Sequence, residues 1–127
     1  MKKFIKIVTD ILLVIVLVMA AVLYIPRLMG LKTYKVLSGS MEPEYHVGSV
    51  VYVEKSLIDD IEVGDVITFY INDNTVVTHR VIDKDDDTES FRTKGDANEI
   101  EDGGSVAYDK VVGKVVLNVP YLGYILR

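Results

Sequence analysis

The chain has 127 residues, a formal net charge of -5 and no cysteine. Its length fits one small domain with one appended segment. The acidic balance argues against a nucleic-acid partner, because no basic surface is available to neutralise phosphates. The absence of cysteine excludes disulfides, thiolate metal ligands and cysteine nucleophiles.

The first predicted element is a membrane-spanning helix. Residues 4–25 are apolar apart from Lys6, Thr9 and Asp10. At about 1.5 Å per residue this run covers roughly 33 Å, enough for a bilayer core of about 30 Å. We therefore predict that residues 1–31 form a retained N-terminal membrane anchor and that residues 32–127 form a separate domain.

Two other interpretations of this run remain open. The lysines at its start resemble the positive region of a cleaved signal peptide, but Tyr24, Ile25 and Pro26 stand where a pattern of small residues would mark the cleavage site. A buried helix of a soluble protein is the third interpretation, and the flanking lysines disfavour it.

Orientation across the bilayer does not follow from charge counting, because three basic residues lie towards each end of the run. They are Lys2, Lys3 and Lys6 on one side and Arg27, Lys32 and Lys35 on the other.

The remaining chain is predicted to be mainly β. Short runs rich in Val, Ile, Tyr and Thr indicate strands, and turn signals containing Gly, Asn or Asp separate them. These runs are residues 34–37, 49–53, 66–71, 76–82 and 111–119. Residues 72–74 predict a hairpin, and residues 57–61 form a turn of helix at most. We expect a small antiparallel β domain, a compact sandwich or barrel-like fold, with one N-terminal transmembrane helix.

The apolar tail, residues 115–126, is predicted to be a core strand followed by a segment packed on the domain. The alternative is that Tyr121, Leu122, Tyr124 and Ile125 rest on the lipid interface.

The motif Ser38-Gly39-Ser40-Met41 follows the first predicted strand. A glycine between two serines allows the backbone to present the second hydroxyl and its own N–H at one point. A nucleophile beside an oxyanion hole requires that combination. Flexible loops have the same composition, so the motif alone leaves both interpretations open.

Two further motifs supply a base and a carboxylate. His79 lies inside a predicted strand and is either a general base or a structural histidine, whereas His46 lies in a loop and is predicted to be non-catalytic. Gly95-Asp96 is typical of a turn. In a functional interpretation, Asp96 accepts the His79 N–H and fixes the tautomer of the ring.

Alternating acidic residues superficially resemble a calcium loop: Asp83, Asp85, Asp87 and Glu89. An EF-hand would need glycine at the sixth position and glutamate at the twelfth, where this chain has Thr88 and Lys94. We interpret the segment as a solvated hairpin tip and predict no metal and no cofactor.

Taken together, these motifs resemble the signal peptidase I family, in whose order they occur from the anchor to Gly123. Residues 36–43 resemble the nucleophile box, residues 64–69 the strand after it, residues 78–82 and 93–96 the next two boxes, and residues 112–115 and 119–123 the closing segment.

The resemblance implies a role for each matching residue. Ser40 matches the nucleophile, and His79 stands where many bacterial members have a lysine base. The chain is thus similar to the Ser–His subgroup, the endoplasmic-reticulum, archaeal and sporulation-type bacterial branch. Asp96 and Asp102 match its two acidic positions. Ser38 adds a hydroxyl to an oxyanion hole formed with the Ser40 N–H.

The same resemblance implies a single-pass protein of the cell membrane. Its catalytic domain would lie on the extracytoplasmic face and cut signal peptides from exported preproteins. Its partners would be those signal peptides and the lipid bilayer, with accessory subunits undetermined. Several relatives continue into a further hydrophobic stretch where this chain ends at Arg127, which leaves the membrane topology open.

Two rival functions predict different arrangements of these residues. A non-enzymatic, membrane-tethered β module that binds a partner predicts that Ser40 and His79 are far apart. A self-cleaving peptidase of the repressor type uses a lysine base and a DNA-binding domain, and this sequence indicates neither.

Overall fold

The structure, a computed structural model, describes residues 1–55 and 58–120. The chain divides into two compact units, Met1–Leu31 and Lys32–Arg127. The roles of these units as a membrane anchor and a peptidase domain stay predictions.

The first unit is the helix α1, Lys2–Leu28. Its 27 residues correspond to about 40 Å at 1.5 Å per residue. The helix is long and apolar enough to cross a membrane, and none of its most apolar window is buried. Helices that are apolar on all sides need an apolar surrounding. A retained anchor and a signal sequence both meet this description.

The second unit contains a sheet of seven strands in the order β1-β2-β7-β3-β4-β5-β6 among the described residues. Every pair is antiparallel, which confirms the predicted fold class. The strands are β1 Lys32–Lys35, β2 Val50–Glu54, β3 Val66–Asn72, β4 Thr75–Asp85, β5 Ser90–Lys94, β6 Val106–Ala107 and β7 Val111–Val119.

The connections agree with several predictions. Asn72 pairs with Thr75 across the β3–β4 hairpin, and the Asn74 N–H donates to Asn72 Oδ1 at 2.9 Å. Residues 85–89 form the exposed tip between β4 and β5. A 3₁₀ turn, Ile58–Asp60, lies where at most a turn of helix was predicted. The predicted tail beyond residue 120 lies outside the described residues.

The core of the domain includes one face of β4, the strand that carries His79. Ile67, Phe69, Val81 and Phe91 belong to one buried cluster. Alternate residues of a strand face the same side of a sheet, so His79 shares a face with Val81. The imidazole of His79 therefore lies next to this apolar cluster, of which Phe69 is its ring neighbour.

Candidate active site

Ser40 lies in a tight turn just after β1. The Val36 N–H donates to Ser49 O at 2.9 Å, which extends the β1–β2 pairing, and the chain then enters the 3₁₀ turn Gly39–Met41. The Met41 side chain is only 2% exposed and anchors this turn. Ser40 Oγ consequently lies at the end of a rigid segment.

His79 bridges the serine to a carboxylate. Its Nε2 lies 3.0 Å from Ser40 Oγ, and its Nδ1 lies 2.6 Å from Asp102 Oδ2. A carboxylate only accepts, so Nδ1 must carry the proton and Nε2 is left to accept from the serine hydroxyl. The Phe69 ring meets the imidazole edge-on at a centroid distance of 6.3 Å.

Asp96 does not accept the His79 N–H, which corrects the interpretation made from the sequence. Its two carboxylate oxygens accept from Arg80 Nε at 2.8 Å and Arg80 Nη2 at 2.7 Å. Neighbouring residues of a strand face opposite sides of a sheet, so Asp96 lies on the Arg80 side of β4. Asp102, the second acidic position, occupies the His79 side.

The ion pair has electrostatic consequences for both partners. The hydrogen bonds from Arg80 hold the pKa of Asp96 below its ordinary value, against a smaller opposing effect of burial. The same bonds raise the pKa of Arg80. Arg80 also donates through Nη1 to Gly64 O at 2.7 Å, so one guanidinium joins two loops.

The turn that contains Asp96 supports the backbone of Ser40. The Ala97 N–H donates to Ser40 O at 2.8 Å, and the Asn98 N–H donates to Gly95 O at 3.0 Å. A Cβ added to Gly95 would lie 2.6 Å from Ser40 O, closer than side chains approach a backbone oxygen. Glycine at position 95 therefore permits this close contact with the Ser40 backbone.

Ser38 lies beside Ser40, with its Oγ 3.1 Å from Ser40 Oγ. Because the Ser40 hydroxyl donates to His79, the Ser38 hydroxyl is the donor of this pair. His46, by contrast, pairs with Glu42 at 2.5 Å, and its side chain is 47% exposed. This environment fits its predicted non-catalytic status.

Thr93 is a site residue that sequence reasoning missed. Its hydroxyl donates to Asp102 Oδ2 at 2.6 Å. The motif Thr93-Lys94-Gly95-Asp96 identified this segment as part of the site. The sequence contained no signal that distinguished Thr93 from any other strand residue.

Two cavities adjoin the three residues. One, of about 290 Å³, lies beside Ser40 and is lined by residues 34–38, residues 75–78, Met41 and Tyr45. The other, of about 490 Å³, reaches His79 and Asp102 from the core face. Burial raises the pKa of Tyr45. Among residues 1–55 and 58–120, no group of three or more His, Asp or Glu side chains is arranged to hold a metal ion.

A serine hydroxyl, an imidazole and a carboxylate in hydrogen-bonded series are the arrangement of serine peptidases. The tethered-module alternative expected Ser40 and His79 to be far apart, and the 3.0 Å distance does not fit that expectation.

Comparisons with known proteins define the family. The family model described as signal peptidase, peptidase S26, matches residues 7–88, more than half of the chain. The chain is 38% identical over 120 residues to signal peptidase I W of Bacillus subtilis, covering 84% of this chain and 63% of the relative. It is 35% identical over 101 residues to the signal peptidase complex catalytic subunit SEC11C of Canis lupus familiaris, covering 71% and 53%.

A fungal relative gives the same result. The signal peptidase complex catalytic subunit SEC11 of Fusarium vanettenii is 34% identical over 101 residues, covering 71% of this chain and 59% of the relative. The chain spans less than two thirds of the length of these relatives. It belongs to the signal peptidase family, peptidase S26, and the predicted resemblance to the Ser–His subgroup is confirmed.

Proposed function

We propose that this chain is a membrane-bound serine endopeptidase that cleaves N-terminal signal peptides from exported preproteins. The observation that carries the proposal is the pair of contacts on one imidazole: Nε2 at 3.0 Å from Ser40 Oγ and Nδ1 at 2.6 Å from Asp102 Oδ2. Family membership supplies the reaction class, and these contacts supply residues able to carry it out.

In the proposed mechanism, His79 Nε2 takes the Ser40 proton as the hydroxyl oxygen attacks the scissile carbonyl. Asp102 holds the ring in the required tautomer and stabilises the imidazolium that forms. The imidazolium then protonates the leaving amine, and a water molecule, deprotonated by the same ring, hydrolyses the acyl-enzyme. No cofactor is needed for these steps.

The developing oxyanion needs donors near Ser40. The Ser40 N–H is one proposed donor, because it lies in the first turn of the 3₁₀ helix Gly39–Met41, where backbone N–H groups have no partner within the helix. The Ser38 hydroxyl, 3.1 Å from Ser40 Oγ, is the second, and it rotates freely enough to follow the charge as it moves to the oxyanion. A donor of this kind contributes about a hundredfold or more to the rate.

An extended peptide fits the cavity beside Ser40. The Val36 N–H donates to Ser49 O, and the Val36 carbonyl accepts from the Gly48 N–H, so both groups face β2. The N–H and C=O of Leu37 then face away from β2, because these groups alternate along an antiparallel strand. On the other side of the cavity lies β4, which pairs with β5 only from Arg80 onwards. Residues 75–79 of β4 therefore pair with β3 along one edge, and their other edge is unpaired among the described strands. A peptide can add between these edges as a strand.

The dimensions of this cavity favour small side chains next to the scissile bond. Met41 and Tyr45 line it together with Ser40, and their bulk limits the space at the nucleophile. Small residues before the cut are the common feature of secretory signal peptides, which agrees with this class of substrate.

We further propose that α1 is a retained, single-pass anchor in the cell membrane, with the β domain on the extracytoplasmic face. The length and apolarity of α1 support a membrane span. The resemblance to signal peptidases supports placing the β domain on the extracytoplasmic side of the membrane. The partners are then preprotein signal peptides and the lipid bilayer, with accessory subunits open and no nucleic acid.

Cleavage of a model preprotein by the full detergent-solubilised chain tests the proposal. Ser40→Ala and His79→Ala are expected to lose at least about a thousandfold in rate while keeping the wild-type melting temperature. His46→Ala is the matched control, because His46 is exposed and pairs with Glu42, and it is expected to retain full activity. Undiminished cleavage by folded Ser40→Ala would refute the proposed nucleophile.

A further inference from the structure

Thr93 is attached to Asp102 at two points. The Thr93 hydroxyl donates to Asp102 Oδ2 at 2.6 Å, and the Asp102 N–H donates to Thr93 O at 2.9 Å. That same Oδ2 accepts the Nδ1–H of His79 at 2.6 Å. One carboxylate oxygen therefore receives the imidazole and the threonine together.

Asp102 needs external support because of where it lies. Residues 95–105 contain no helix and no strand, and the Asp102 side chain is 27% exposed. A loop carboxylate in contact with water has several accessible rotamers. The bonds to the imidazole and to Thr93 select one of them.

Thr93 can provide that support because its own position is fixed. It lies on β5 and is 1% exposed, and the β4–β5 ladder places it opposite Val81. Val81 is two residues beyond His79 on the same face of β4. The distance between the threonine hydroxyl and the imidazole is thus set by a strand pair and not by the loop.

We propose that Thr93 is a positioning residue of the peptidase, which holds Asp102 in the orientation that His79 requires. A hydrogen bond donated to a carboxylate stabilises the charged state, and the charged state stabilises the imidazolium during acylation. This inference rests on the proposed function, since it assigns a role within that reaction.

Two other charged groups lie near His79 and Asp102, and neither is altered in a Thr93 variant. Asp96 interacts electrostatically with His79 from the opposite face of β4. Lys110 lines the cavity that reaches His79 and Asp102. Because both remain in place, a change in the pH profile of a Thr93 variant reports on the Thr93–Asp102 bond.

The test uses the full chain in detergent with a model preprotein. Thr93→Val keeps the shape of the side chain and removes the hydroxyl. Its kcat is expected to fall about ten- to a hundredfold, the range of a hydrogen bond to a charged group. KM is expected to stay within about twofold, and the acid limb of the pH–rate profile is expected to shift. Thr93→Ser should restore kcat to within about threefold.

Two controls separate positioning from a general structural effect. Ser90→Ala removes another buried hydroxyl of β5, one that pairs with Thr88 at 2.7 Å, and should leave kcat and the pH profile unchanged. In an Asp102→Ala background, Thr93→Val should lower kcat by less than about twofold, because Thr93 is proposed to act through Asp102. Thr93→Ala serves as the hydroxyl-free variant if Thr93→Val melts below the assay temperature.

The outcomes are distinct. An active wild type with a Thr93→Val variant of equal kcat and equal pH profile would overturn this inference alone. A folded Thr93→Ser variant as slow as Thr93→Val would also overturn it, since the hydroxyl would then be irrelevant. If the wild type cleaves no preprotein, the proposed function fails and this inference fails with it.

Discussion

Replacing Gly95 by alanine is predicted to slow catalysis by displacing Ser40, the proposed nucleophile. A Cβ at this position would lie 2.6 Å from Ser40 O, 2.7 Å from Asn98 Nδ2 and 3.0 Å from Ser40 Cβ. Two of these atoms belong to Ser40. The Asn98 side chain can rotate away, whereas the Ser40 carbonyl is held by the Ala97 N–H at 2.8 Å.

The size of the displacement follows from these contacts. Ordinary van der Waals contact begins at 3.4 Å, and real Cβ atoms essentially never come within 3.0 Å. Ser40 and the Gly95 turn must therefore separate by roughly 0.4 to 0.8 Å. Added to the 3.0 Å between Ser40 Oγ and His79 Nε2, that separation exceeds the range of a hydroxyl hydrogen bond. Because a 1 Å misplacement of a reacting group lowers the rate by about a hundredfold, we expect kcat to fall about ten- to a hundredfold.

Initial rates of preprotein cleavage and thermal melting measure the two consequences separately. The overpacking itself should lower the free energy of unfolding by about 1 to 3 kcal/mol. Gly103→Ala is the control, because a Cβ there meets nothing within 4 Å, and it should behave as wild type. A folded Gly95→Ala enzyme with wild-type kcat would refute the claim that this contact positions Ser40.

Four further predictions concern the two carboxylates, the general base and the sheet. Asp102→Asn should lower kcat at least about a hundredfold with little change in stability. Asp96→Asn should lower the free energy of unfolding by about 1 kcal/mol. Arg80 holds the pKa of Asp96 below its ordinary value of 3.8. The stability difference between wild type and Asp96→Asn is therefore fully present above pH 3.8 and disappears as the pH falls through the lowered pKa. Urea titrations at several pH values would detect this change. With a histidine as general base, kcat/KM should fall towards acid pH, because a protonated imidazole cannot accept the serine proton, and a rate that is flat down to about pH 5 would exclude that base. Gly113→Ala should destabilise the domain by about 1 to 3 kcal/mol, because the added Cβ overlaps the Glu54 carbonyl oxygen; an unchanged melting temperature would show that β2 and β7 can separate there.

Local patterns in the sequence were sufficient for the strands that alternate or are strongly apolar. β3, β4 and β7 begin within a residue of their predicted starts, because β-branched residues and turn signals define them. β5 was missed because Phe91 is its single large apolar residue, with Arg92 and Lys94 interrupting the pattern. β6 has two residues, too few for any periodicity.

The candidate site was predictable as a set of residues but not as a set of contacts. Ser40 and His79 were recognisable from their motifs. Which carboxylate would meet His79 depends on the pairing of β4 with β5 and on the path of the loop after β5, and neither is encoded in a local pattern. Asp96 was therefore assigned the bond that Asp102 makes. The role of Thr93 was missed for the same reason.

The position of β7 in the sheet affects the order in which the domain is made. β7 lies between β2 and β3, so the hydrogen-bonded ladder from the Ser40 side to the His79 side passes through a strand close to the C-terminal end of the sequence. During synthesis, the strands that carry the serine and the histidine emerge well before this link exists. Such distant pairing closes late in folding. A nascent chain would thus acquire the complete set of contacts around Ser40 and His79 only after β7 has left the ribosome.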